Sequence, residues 1–206
     1  PMVAKAVAKQ ASTMVHAQQS CYKSLATETF INKLSPYLPP THSSFFLANS
    51  GSEGIENAVR LARHATNRDN IIVFNGGYHG RTTQTLALTS SGSAYRGERL
   101  GPSPGGQFFV NYPYEHLGSQ RSVENCVADL KDLLKSHSPA SETAAVLIEP
   151  VLGEGGYVPA PFEFMVAVRD FCDRNNILMI ADEVQTGFAR TGHFFAVEEE
   201  GVCPDM

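Results

Sequence analysis

The chain has no apolar run near the roughly 20 residues that a membrane helix needs, so no helical membrane span is expected. Its four cysteines, Cys21, Cys126, Cys172 and Cys203, lie far apart, with no C-x-x-C and no paired histidine spacing. That pattern argues against a disulfide framework or a zinc site; buried reduced thiols and no bound metal are expected instead. Basic residues are scattered and the formal net charge is −5, which leaves no electrostatic footprint for nucleic acid. Neither a G-K-[ST] loop nor a G-x-G-x-x-G turn occurs, which removes the common nucleotide-binding signatures. There is no internal repeat, and Pro1-Met2-Val3-Ala4-Lys5 has no signal- or transit-peptide pattern. What remains is 206 residues, 42% hydrophobic and 18% charged, enough for one globular domain with a sizeable core.

The chain alternates apolar runs with amphipathic stretches. Ile177-Leu-Met-Ile-Ala181 is apolar without interruption, which suits a strand buried on both faces inside a parallel sheet. Asn70–Phe74 and Ala144–Ile148 read the same way, and Ser44–Ala48 reads as a short strand. Helical spacing appears over about 2–17, with Val3, Val7, Gln10/Ala11 and Met14 on roughly one face, and over about 22–34, with Leu25, Phe30 and Leu34 inward. Pro36, Pro39 and Pro40 close the second of these. It recurs after Glu53 through Ile55, Ala58, Val59, Ala62 and Ala65. Two further helices are expected, over about 122–136 with Val123, Val127, Leu130 and Leu134, and over about 162–175 with Phe164, Met165, Val168, Phe171 and Cys172. Residues 91–120, rich in Gly, Pro, Ser and Tyr, read as a long loop, and 136–141 as a surface linker. This order predicts an α/β fold, a mostly parallel sheet flanked by helices.

In open α/β sheets, ligands bind outside the carboxyl ends of the strands. Asp182 and Gln185 fall there, and a carboxylate in that place is costly to keep ionised without a cation or strong donors. Asn49-Ser50-Gly51-Ser52-Glu53 leads directly into a helix, whose free N–H groups and dipole suit a phosphate; Ser50 or Ser52 can also simply cap it. In Asn75-Gly-Gly-Tyr78-His79-Gly80-Arg81-Thr82 the glycines permit close approach of backbone to a ligand. Tyr78 or His79 can lie flat on an aromatic cofactor and Arg81 can fork onto a carboxylate; a core tyrosine and a structural ion pair are the alternatives. Glu149 and Glu154 suit either a cationic group or the backbone N–H groups of their own glycine turn.

Together, Asn49-Ser-Gly-Ser-Glu53, Tyr78-His-Gly-Arg-Thr82, Glu149-Pro-x-x-Gly-Glu-Gly-Gly156 and Ala181-Asp-Glu-Val-Gln-Thr-Gly187 resemble the class III pyridoxal-phosphate aminotransferases. The likeness covers nearly the whole chain. It is strongest to the 4-aminobutyrate aminotransferases, with the ornithine and acetylornithine enzymes next, and Arg81 and Gln185 favour this ω-aminotransferase group over the glutamate-semialdehyde aminomutases. The resemblance implies the large domain of the fold type I pyridoxal-phosphate transferases over 44–206, preceded by a helical segment over 1–43. It implies pyridoxal 5′-phosphate as cofactor, an amine or amino acid and a 2-oxo acid as substrates, a homodimer, and a cytoplasmic or mitochondrial-matrix location. By the same resemblance Ser50, Gly51 and Ser52 bind the cofactor phosphate, Tyr78 stacks on the pyridine ring with His79 beside it, and Gln185 lies near the ring hydroxyl. Asp182 is the catalytic carboxylate that pairs with the pyridine nitrogen and raises its pKa, which favours the cofactor's work as an electron sink. Arg81 binds the substrate carboxylate, while Glu149 and Glu154 line the substrate pocket, Glu154 matching the glutamate that pairs with an arginine nearer the C-terminus.

The chemistry also needs a Schiff-base lysine. Lys5, Lys9, Lys23, Lys33, Lys131 and Lys135 fall on expected helices, none at a strand end, and in the family that lysine lies downstream of the segment matching Cys203-Pro-Asp-Met206. The expectation is therefore a fragment, inactive by itself, of an enzyme moving an amino group from 4-aminobutyrate or a similar ω-amino acid to 2-oxoglutarate. Two rival readings stand beside it. One is a truncated, non-catalytic relative that binds cofactor or a partner. The other is a nucleotide-binding α/β domain using the Gly51 turn, against which the missing ribose-binding acid speaks.

Overall fold

The computed structural model describes residues 1–18, 21–95, 102–114, 121–198 and 201–206, which fall into two compact units, Pro1–Phe45 and Phe46–Met206. In the first, α1 (Met2–Thr13) and α2 (Leu25–Leu34) bury no residue. The first helix stops short of the expected residue 17, because Met14 turns extended at φ −157°. The second starts where Ser24 Oγ accepts the Thr27 N–H, so Lys23 precedes the helix and does not belong to it. Leu25 and Phe30, expected to face inward, stand 76% and 41% exposed, since a unit this small has too little chain to cover both helices.

The second unit is a three-layer sandwich. Helix α3 (Gly51–Thr66) precedes strand β1 (Asn70–Phe74), and α4 (Thr83–Leu88) precedes β2 (Gln107–Val110). Then come α5 (Val123–Ser136), β3 (Thr143–Ile148), the short pair β4 (Val151–Leu152) and β5 (Val158–Pro159), α6 (Phe162–Asn175) and β6 (Leu178–Ala181). The main sheet runs β2-β1-β3-β6, every pair parallel, and β4 and β5 pair antiparallel. All six residues of β3 are buried, as its unbroken apolar run requires.

Alternation along β1 divides the core in two. Ile72 and Phe74 join Leu130 of α5 and Phe164, Met165 and Val168 of α6 on one face. Ile71 and Val73 join Ile55, Val59 and Ala62 of α3 on the other. Burial of such Ile, Val and Phe side chains contributes about 1.5–3 kcal/mol each against conformational entropy.

Several expectations fail locally. Residues 44–48 form no strand: a strand exists only where its N–H and C=O groups pair, and β1 already has β2 and β3 on its two sides. The expected loop over 91–120 contains β2, a four-residue edge strand too short for its periodicity to be read; residues 96–101 and 115–120 of it lie outside the described residues. Helix α4 was not expected, and its Thr-rich six residues are held by burial of Thr85–Leu88 and a reciprocal Thr82–Thr85 cap. The 136–141 linker is not wholly superficial: Ser138 is fully buried, with its hydroxyl 2.8 Å from Thr143 Oγ1. Of the four cysteines, Cys126 and Cys172 are buried, whereas Cys21 and Cys203 are exposed.

Candidate active site

Strands β1, β3 and β6 end side by side, with Val73 opposite Leu147 and Ile148 opposite Ala181. The Asp182 N–H donates to Ile148 O at 2.8 Å, which carries the ladder one residue past β6. There the Asp182 carboxylate meets the imidazole of His79: Oδ2 lies 2.8 Å from Nδ1, and both residues are about 95% buried. Oδ1 accepts the Val184 N–H at 3.1 Å. No lysine or arginine among the described residues pairs with this carboxylate, so its surroundings are the imidazole, one amide and whatever approaches from outside.

The β1 exit loop is fixed from three sides. Glu149, the residue after β3, accepts the Tyr78 N–H on Oε1 at 2.7 Å and the Gly153 N–H on Oε2 at 3.0 Å. Its partners are thus one amide of its own glycine turn, as one of the two expectations had it, and one amide from the β1 exit loop, which was not anticipated. Burial pushes its carboxyl above the usual range, Asp182 adds to the shift, and His79 and the two amides oppose it. The His79 N–H donates to Thr89 Oγ1 at 3.0 Å, and that hydroxyl donates to Thr85 O at 2.9 Å. The Arg81 N–H donates to Ser52 Oγ at 3.3 Å, which lays the loop on the first turn of α3. Gly80 has φ +127°, and a Cβ there would collide with the Ser52 side chain.

Helix α3 opens at Ser50, whose Oγ accepts the Glu53 N–H at 3.2 Å, while Glu53 accepts from the Asn49 N–H at 2.7 Å and its Nδ2 at 3.0 Å. Ser50 is thus a cap in this structure. The next two amides, Gly51 and Ser52, have no acceptor among the described residues, and they stand at the positive end of a 16-residue helix. Gly51 also touches the β6 exit turn: a Cβ on it would come within 2.8 Å of Val184 Cγ1.

The remaining expected residues sit on the rim. Tyr78 is half-buried and meets the edge of Tyr95 at a centroid distance of 5.0 Å. Arg81 is exposed, stacks over Tyr95 at 5.5 Å and has no carboxylate partner among the described residues. Glu154 is exposed and accepts the Tyr95 hydroxyl, and that bond is the main reason the phenol's pKa is raised. Gln185 is exposed and packs its Cγ against Gly153. One set of strand ends therefore gathers all ten candidate residues, although Ser50 is spent on its cap and Glu149 on backbone amides.

Three contributors were not anticipated. Tyr95 is hidden in loop composition, Thr89 follows an unexpected short helix, and Glu56 accepts from Thr82 Oγ1 at 2.6 Å on an otherwise ordinary helical face. Glu183, next to Asp182, points elsewhere and binds Thr186 Oγ1 at 2.5 Å and the Ala196 and Val197 N–H groups at 3.0 Å. Among the described residues no cluster of His, Cys, Asp or Glu is suited to hold a metal ion, and no helix is long and apolar enough to cross a membrane.

Comparison with known proteins agrees across three lines. The family model described as Aminotransferase class-III matches residues 1–206. The chain is 43% identical over 212 residues to the 5-aminovalerate aminotransferase DavT of Pseudomonas putida, and 38% identical over 210 residues to the 4-aminobutyrate aminotransferase GabT of Escherichia coli. Each alignment covers all of this chain and 48% of the relative, so the chain spans about half the length of the curated relatives it matches. Among solved structures, a transaminase from a marine Virgibacillus superposes with a TM-score of 0.90 at 28% identity, over 98% of this chain and 46% of that one. A taurine:2-oxoglutarate aminotransferase of Bifidobacterium kashiwanohense, solved with pyridoxal phosphate and glutamate, gives 0.86 at 29% identity, over 98% and 46%.

Proposed function

Because this chain belongs to the class III aminotransferase family, whose cofactor is pyridoxal 5′-phosphate, we propose that residues 46–206 carry much of the cofactor site of an ω-amino acid transaminase. The donor is 4-aminobutyrate, 5-aminovalerate or a similar ω-amino acid, as in the named relatives, and the acceptor is 2-oxoglutarate. The observation that carries the reading is the buried Asp182–His79 pair at the strand ends, a carboxylate held in low dielectric with no lysine or arginine among the described residues paired to it.

The residues present fit the cofactor. The two amides of Gly51 and Ser52 suit its phosphate, and the close packing of Gly51 on Val184 leaves no room for a side chain that would cover them. Asp182 would hold a proton on the pyridine nitrogen, with His79 and the Val184 N–H fixing its direction. Tyr78 offers a half-buried ring face, Gln185 an amide at the rim for the ring hydroxyl, and Arg81 a guanidinium without a carboxylate partner for the substrate carboxylate. When bound, the cofactor supplies an electron sink for the carbanion formed at the amine-bearing carbon.

The amine that carries the cofactor belongs, in this proposal, to a lysine other than Lys131 and Lys135, which lie exposed on α5 away from the strand ends. A homodimer belongs to the same proposal and is supported by exposed apolar residues on the N-terminal helices, among them Val3, Val7 and Leu25.

The test is amino transfer by the whole protein, with 15N-labelled 4-aminobutyrate or 5-aminovalerate as donor and 2-oxoglutarate as acceptor. Label appearing in glutamate, faster from these donors than from α-amino acids of equal length, is expected. Absence of label with every donor, in protein that binds pyridoxal phosphate, would overturn the transaminase reading.

A further inference from the structure

Glu149 sits at the end of β3 with 4% of its surface exposed, and no arginine or lysine among the described residues pairs with it. A buried carboxylate without a cation is expensive unless strong donors replace water. The donors here are the Tyr78 N–H at 2.7 Å, from the loop that leaves β1, and the Gly153 N–H at 3.0 Å, from the turn that leaves β3. Each oxygen takes one amide, so the side chain bridges two loops and leaves neither oxygen turned to solvent.

Those loops carry different parts of the site. The first presents Tyr78 and His79, and the second presents Glu154 and the glycine against which Gln185 packs. Gly77 lies where His79 and Glu149 come together: a Cβ there would be 3.1 Å from His79 Nε2 and 3.5 Å from Glu149 Oε1, while Nδ1 is on Asp182. The imidazole therefore has Asp182 on one nitrogen and the Glu149 carboxylate beyond the other.

We propose that Glu149 is a positioning residue and not a substrate contact, its carboxylate clamping the β1 and β3 exit loops so that Tyr78 and the His79–Asp182 pair are held in place for the cofactor. This rests on the aminotransferase reading above. In Glu149→Gln the side chain keeps its shape but turns an amide NH₂ toward one of the two backbone N–H groups, leaving that donor unmatched in a buried place. The cost of an unmatched buried donor corresponds to roughly five- to hundredfold in an equilibrium constant. Glu149→Asp keeps the charge but is one methylene too short to reach both amides, and the clamp account expects it to be impaired as well.

The experiment titrates the whole protein and both variants with pyridoxal phosphate, following the cofactor's induced circular dichroism, and then measures kcat and KM for the amine donor. The expected result is a cofactor affinity about tenfold weaker and a smaller dichroic band in both variants, with kcat reduced and the amine KM within about threefold. Far-ultraviolet dichroism of the apoprotein reports folding separately, and if Glu149→Gln does not fold, Glu149→Asp carries the test. An unchanged band and affinity with a raised amine KM would make Glu149 a substrate contact and overturn the clamp. A lowered apoprotein melting temperature with unchanged affinity and kcat would make it merely structural and overturn the clamp too. If the unsubstituted protein itself binds cofactor with no dichroic band and transfers no amino group, the aminotransferase reading fails and takes this inference with it.

Discussion

Asp182 and Glu149 are two buried carboxylates at neighbouring strand ends, and their surroundings set them apart. Asp182 has an imidazole on one oxygen and an amide on the other; Glu149 has two amides. Burial raises the Glu149 pKa, so the folded state holds its proton more tightly than the unfolded chain does. Its favourable contribution is then complete below the ordinary glutamate value of 4.5 and is lost as pH rises through the higher folded-state value. The titratable groups facing it are His79, Asp182 and Tyr114. The expected outcome is that the urea midpoint of the unsubstituted protein falls relative to that of Glu149→Gln as pH rises above the ordinary value of 4.5. A difference that is constant or grows with pH would contradict the burial argument.

At this scale the sequence made Asp182 and Glu149 visible, because each ends an unbroken apolar run. It did not reveal that Glu149 would use both oxygens on backbone, nor that His79 would turn its ring to Asp182. Those depend on the spatial order of strands, which local spacing does not encode. Tyr95 was invisible for another reason: a tyrosine in a Gly/Ser-rich loop has no periodic signal.

The element that organises the site is the start of α3 with the loop laid over it. The helix was legible from its apolar stripe and from the two serines at its start, of which Ser50 proves to be the cap, and Ile55, Val59 and Ala62 are buried as that stripe requires. The helix after the β1 exit loop was not legible, since a six-residue Thr-rich segment has little helical propensity and is fixed by burial and capping. The loop between them depends on Gly80, whose φ of +127° and contact with Ser52 exclude a side chain. Gly80→Ala is expected to cost about 1–3 kcal/mol from the strained conformation, with more from displacing Ser52. It should also weaken pyridoxal phosphate binding, because Ser52 belongs to the turn with the free amides. Denaturant unfolding and cofactor titration of the same variant check both effects. Unchanged stability would mean that the loop relaxes away from α3.

In the molecule as a whole, the parallel sheet and its two helical layers were legible from the alternation of buried runs and amphipathic stretches. The order β2-β1-β3-β6 was not, since β2 is an edge strand inside what reads as loop. The N-terminal unit shows the limit of periodicity: an apolar face identifies a helix but not whether anything covers it, and Leu25 and Phe30 remain exposed. Core integrity can be read from Cys172, fully buried on α6, whose thiol is pushed up to about 12 by burial. It should resist iodoacetamide at about pH 8 in the folded protein and react once the protein is unfolded. Rapid alkylation under native conditions would mean that α6 is not packed as described.

The central claim is that the strand-end constellation around Asp182 binds pyridoxal phosphate and makes it reactive. The most direct measurement compares the whole protein with Asp182→Ala, both supplied with the cofactor, in 15N transfer from 4-aminobutyrate or 5-aminovalerate to 2-oxoglutarate. The account predicts transfer slowed by about a thousandfold or more in the variant, of the order seen when a central electrostatic contact is removed, with the far-ultraviolet dichroism retained. Transfer by Asp182→Ala at close to the unsubstituted rate would contradict it.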